Sequence, residues 1–119
     1  DYDALLFGLS QTDTEPSSYQ NFLMSSAGTH QWHPTQLSPA RDWEARIDKL
    51  FAEQSVELDS NMRHAKFNEI QMIMVEEMPV IPVAARHVLA AVNTRVGNHS
   101  PSGIFPYSLW NLEELFVKQ

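Results

Sequence analysis

A helical run beginning near Asp59 meets a proline at Met78-Pro79 and continues at once as the apolar stretch Val80-Ile81-Pro82-Val83. No other feature narrows the fold as much. The run places Phe67, Ile70, Met74 and Met78 on one side at helical spacing, and Asp59 or Ser60 can cap its start. Its last two turns also carry Met72, Ile73 and Val75, so this end is expected to be the more deeply buried. Pro79 lacks an N–H and disfavours helical geometry in the residue before it, so the helix has to stop there. Downstream, Val80 to Ala85 reads as a strand, and Val88 to Val92 reads as another after Arg86-His87. Pro82 assigns the first of these to an edge or a bulge.

Upstream, Ala4-Leu5-Leu6-Phe7, flanked by Tyr2 and Leu9, is a continuous apolar run closed by Gly8 and a polar stretch. Such a run suggests a strand buried on both faces. Glu15 to Met24 reads as a short helix started by Thr14 or Ser17, with Pro16 tolerated in the first turn. Ser25 to Ala40, with two prolines, three serines and two histidines, has no sustained period and reads as an ordered loop. From Asp42 a second helical pattern puts Trp43, Ile47, Leu50 and Phe51 on one face and Glu44, Arg46, Lys49 and Glu53 on the other. Beyond Thr94 the helical and strand signals weaken, Gly97 to Gly103 reads as loop, and Trp110 to Phe116 as at most one short helix or a docking tail.

With 119 residues, the chain suffices for one domain with a modest core. No apolar run approaches the roughly 20 residues of a membrane span, so this portion is expected to be soluble. A net charge of −7, with eight Lys and Arg dispersed along the chain, argues against nucleic acid as a partner. Cysteine is absent, which removes disulfides, thiol nucleophiles and thiolate metal sites together. The start at Asp1, with neither an initiator Met nor a leader pattern, reads as a processed product or as an excised piece of a longer protein.

Five histidines raise the question of a metal. His30 and His33 are three residues apart, but Trp32 lies between them, Pro34 follows, and no acidic residue is close in sequence, whereas a zinc site takes three or four ligands. A structural loop is the simpler reading, and neither a metal nor another cofactor is expected. His64, His87 and His99 share no motif. No Gly-x-Ser-x-Gly elbow or Ser-x-x-Lys pair occurs. The adjacent carboxylates Glu76 and Glu77 point about 100° apart on a helix and do not converge.

Four segments together resemble the C-terminal lobe of the family 5 extracellular solute-binding proteins, the peptide and nickel receptors of ABC importers. Asp3 to Tyr19 resembles the family's strand, glycine turn, polar loop and proline-led short helix. Ser25 to Pro34 stands at its variable Ser-Ser loop. Ile47-Asp48-Lys49-Leu50 and Arg63 to Gln71 match its paired helices, and Met78 to Val83 its helix-to-strand junction. The resemblance runs to about Gly97. Two positions depart from it: Leu9 replaces the tryptophan that follows the glycine, and Thr12 stands where peptide-binding relatives carry an aspartate for the ligand's amino terminus, with Asp13 one step later.

The resemblance implies an α/β lobe of the type II periplasmic binding-protein kind, in which a small mixed sheet of Ala4 to Leu9, Val80 to Ala85 and Val88 to Val92 is covered by two long helices. Residues 1–119 then form a single domain, a fragment of a two-lobed receptor, and about 93–119 crosses to the other lobe with weaker order in its absence. The expected core is Trp43, Ile47, Leu50, Phe51, Phe67, Ile70, Ile73 and Met74. The implied function is non-catalytic capture of a solute, an oligopeptide for preference, in the periplasm or elsewhere outside the cytoplasmic membrane, and its delivery to ABC permease subunits. A lipid anchor on the parent protein is compatible with this. Leu9, Ser10, Gln11, Thr12 and Asp13 are the expected ligand-facing wall, because they leave a strand at its C-terminal end, where open α/β sheets form crevices. Two alternatives stay open: a small metal-dependent hydrolase using His30, His33 and a distant carboxylate, and a stand-alone helical-pair interaction module.

Overall fold

The computed structural model describes residues 3–9, 15–85, 87, 89–103 and 105–119, which contain three α-helices and one two-stranded antiparallel sheet. The chain divides into two compact units, Glu15–Val83 and a second made of Asp1–Thr14 with Ala84–Gln119.

The unit Glu15–Val83 is helical. It opens with a 3-10 turn, Pro16–Tyr19, which runs into the four-residue helix α1, Gln20–Leu23. Glu15, not Ser17, caps the turn, its side chain accepting from the Ser17 N–H; Thr14, the other expected cap, lies outside the described residues. After the loop come α2, Asp42–Ser55, and α3, Ser60–Glu77. Asp59 caps α3 by accepting from the Met62 N–H at 3.0 Å, a bond whose removal typically costs about 1 kcal/mol. At the other end Met78 takes a left-handed conformation (φ 46°, ψ 48°) and its N–H donates to the Met74 carbonyl. Pro79 then offers no N–H with which to continue the ladder.

Arg46 pairs with Glu69 at one end of the helical pair, and Arg63 meets Gln54 at the other. The later residue of α2 therefore meets the earlier residue of α3, so the helices run antiparallel. Ile47, Leu50 and Phe51 from α2, Ile70 from α3, and Phe22 and Leu23 from α1 are the buried apolar core, with Trp43, Phe67, Ile73 and Met74 packed against it. All eight expected core residues thus lie in the core or on its border. Each fully buried aliphatic or aromatic side chain contributes about 1.5–3 kcal/mol. The distal end of α3 differs from expectation, because Met72, Val75 and Met78 are exposed.

Two polar clamps close this unit. Gln54, fully buried near the end of α2, donates to Ser17 Oγ at 2.9 Å and accepts from Arg63 Nε and Nη2 at 3.2 and 3.1 Å. Arg63 also pairs with Glu15, so the 3-10 turn, α2 and α3 meet in one network. Asp48 accepts both the N–H and the hydroxyl of buried Ser25, fixing the turn after α1 to the middle of α2.

The expected mixed sheet is not formed. Residues 4–9, 80–85 and 89–92 carry no strand, and residues 86 and 88 lie outside the described residues. The physical reason is the lack of ladder partners: Leu6, Ile81, Val83 and Leu89 are 75–91% exposed, and Pro82 cannot donate. The sheet lies instead in the other unit, where β1, Val96–Gly97, pairs antiparallel with β2, Phe116–Val117, in the register Val96 to Val117 and Gly97 to Phe116. Lys118 N–H extends this ladder to the Arg95 carbonyl at 2.7 Å, and buried Asn111 donates to the Asn98 carbonyl at 2.8 Å. The Phe116 ring lies where a side chain at position 97 would sit, so only glycine fits beneath it.

Candidate functional site

Of the sequence-based ligand wall, Leu9 is exposed and irregular, and Ser10, Gln11, Thr12 and Asp13 lie outside the described residues. The site that the described residues build is in the helical unit, around the first turn of α2.

Arg41 precedes α2 in an extended conformation and has no cap side chain of its own. Glu44, at the third helical position, reaches back instead: its Oε2 accepts the backbone N–H of Ala40 at 2.8 Å and of Arg41 at 3.1 Å. This is the reciprocal arm of a capping box, satisfying donors that a helix start leaves open. The long loop supplies the rest. Gln36 Nε2 donates to the same oxygen at 3.0 Å, and Trp32 Nε1 donates to Oε1 at 3.2 Å. Burial by itself would raise the Glu44 pKa, but the bonds from Gln36, Ala40, Trp32 and Arg41 together outweigh it and hold the carboxyl below its ordinary value. Glu44 is therefore a buried anion near neutral pH, not the solvent-facing residue that the helical pattern suggests.

The loop folds its aromatic residues around this anion. Trp32 packs edge-on against Phe22, with ring centroids 5.4 Å apart, and lies 6.1 Å from Trp43 at an interplanar angle of 34°. His30 is buried against Trp32 at 4.0 Å, and its Nε2 stands 3.6 Å from Glu44 Oε1. That separation exceeds hydrogen-bonding distance, and neither ring nitrogen has a hydrogen-bond partner among the described residues. His33, three residues on, is exposed, so the loop does not bring the two imidazoles to a common ion. Among the described residues no group of three or more His, Asp or Glu side chains is arranged to hold a metal.

Beside this cluster is a cavity of about 390 Å³, lined by Trp32, His33, Arg41, Trp43, Glu44, Glu77 and Pro79. Two indoles supply its apolar wall, Glu44 one side, and the end of α3 contributes Glu77 and Pro79. The last turn of α3 carries no basic residue, so the partial negative charge of the helix end adds to that of Glu77. Sequence reading placed Trp32 and His33 in a loop and Trp43 in the core; it did not bring them together with Glu77. A glutamate at the third helical position was the available signal for Glu44.

No described helix is long and apolar enough to cross a membrane. Comparisons of the chain with protein families, with characterised proteins and with solved structures found no match.

Proposed function

We propose that the chain is part of the C-terminal lobe of an extracytoplasmic solute-binding receptor that captures a small solute, an oligopeptide for preference, and delivers it to an ABC permease. One observation carries this reading. The helical pair ends at Met78-Pro79, and the chain then emerges as an apolar stretch with Ile81 and Val83 about three-quarters exposed. Leu5, Leu6 and Leu9 are likewise exposed. Apolar segments of strand composition standing in water mark surfaces that another part of a structure covers. In a two-lobed receptor these segments would be strands of a sheet whose remaining members come from elsewhere in the polypeptide. Capture would be non-covalent, with closure of the lobes burying the solute.

Native mass spectrometry of the protein isolated undenatured from its natural source tests the proposal. A polypeptide longer than 119 residues that releases a peptide on denaturation is the expected result. A free-standing chain of this length carrying no solute would overturn it. In the receptor, replacing Thr12 and Asp13 together by alanine should weaken binding, since both are hydrogen-bonding groups in the expected wall; unchanged affinity would remove Leu9 to Asp13 from the site.

A further inference from the structure

The cavity beside α2 combines two indole rings with two carboxylates and the carbonyl end of a helix. Glu44 Oε2 is saturated by three donors, while Oε1 accepts only the Trp32 N–H at hydrogen-bonding distance, which leaves that oxygen with acceptor capacity. Glu77 stands at the exposed rim. Beyond it the Val75 carbonyl cannot be reached by an N–H from Pro79, because proline has none. Indole faces attract cations through their quadrupole, and carboxylates and helix C-terminal carbonyls attract them by charge. Arg41 is the one permanent cation in the lining.

We propose that this cavity binds a small organic cation of the alkylammonium class, its charged head against Trp32 and Trp43 and between Glu44 and Glu77. The volume of about 390 Å³ is near the lower end of the ~300–1,000 Å³ of small-molecule sites, which suits a compact ligand. The proposal goes beyond the receptor reading and does not depend on it, because every lining residue belongs to the unit Glu15–Val83.

The test titrates the protein, in a Trp110→Phe background that leaves Trp32 and Trp43 as the only indoles, with choline and with its neutral carbon isostere dimethylbutanol. Tryptophan fluorescence should change saturably with choline, and the isostere should bind about tenfold more weakly, in keeping with the usual strength of cation–π contacts. Glu77→Gln, an exposed change that leaves the core intact, should weaken choline about fivefold and leave the isostere unaffected. Trp43→Leu should remove the response. Equal binding of the two probes, no saturable response, or indifference to Glu77→Gln would each overturn the assignment. A response to acetate or phosphate in place of choline would also overturn it and give the cavity to Arg41.

Discussion

Replacing Glu44 by glutamine keeps the shape of the side chain and removes its charge, which makes it a direct probe of the buried anion. In the native arrangement four donors converge on two oxygens: Gln36 Nε2, Ala40 N–H and Arg41 N–H on Oε2, and Trp32 Nε1 on Oε1. In the variant the amide oxygen can keep the first three as neutral bonds, while the new NH2 faces the Trp32 donor. Leaving one buried donor unsatisfied costs about 1–3 kcal/mol, and neutralising three charge-assisted bonds adds roughly as much again, so a loss of about 3 kcal/mol is expected. At ~4–8 °C per kcal/mol for a domain of 60–100 residues, the melting temperature should fall by about 12–24 °C. Thermal unfolding followed by circular dichroism measures this directly. The opposing effect is desolvation: if removing the carboxylate from water costs more than the four bonds return, Glu44→Gln will be neutral or stabilising. A fall of less than about 3 °C would therefore refute the reasoning. The pH dependence provides a second reading. The Glu44 pKa is lower folded than unfolded, so its stabilisation is complete above the unfolded value and is lost as pH falls through the folded one. Acidification below the ordinary carboxylate range should thus destabilise the native protein more than the variant.

Gln54→Leu replaces the buried link between Ser17 and Arg63 by a side chain of similar size; a loss of about 2–4 kcal/mol in urea unfolding, with Pro16–Tyr19 losing hydrogen-exchange protection first, is expected. Full stability would mean the clamp is dispensable. Lys66→Met removes the chief cause of the lowered Glu57 pKa, the hydrogen bond from Lys66 Nζ at 2.7 Å, assisted by the N–H groups of Asp59 and Leu58. Carboxyl NMR titration should show the Glu57 pKa rising toward its ordinary value, and an unmoved midpoint would assign the shift to the backbone donors instead. Gly97→Ala should displace the Phe116 ring, abolishing the upfield ring-current shift expected for the Gly97 α protons, and an unperturbed spectrum would contradict the close packing.

The helical pair was legible because its signals are local. Asp59 supplies a cap, Pro79 a stop, and Ile47, Leu50 and Phe51 an apolar stripe, and each acts within a turn or two of the chain. Glu44 was misplaced on the solvent face because helical periodicity counts polarity and not the donors that a loop brings from Trp32 and Gln36. The strands failed for a complementary reason. Apolar runs at Ala4 to Leu9 and Val80 to Ala85 state a willingness to pair, but pairing needs a second strand that no local pattern provides. β1 and β2, two residues each, are too short to leave a period at all. The cavity joins Trp32 to Glu77 across the antiparallel pair, a distance in sequence that spacing arguments do not cross.

The exit from α3 has a mechanical consequence. Met78 turns the backbone into the left-handed region and Pro79 fixes the next dihedral, so the helix cannot be extended past this point. Pro79 is also a wall of the aromatic cavity, and Val80 packs against the core. Only Val80 separates Ile81, the start of the exposed apolar segment, from that wall. Whatever binds the segment beyond Val80 therefore attaches one residue away from the Pro79 side of that chamber.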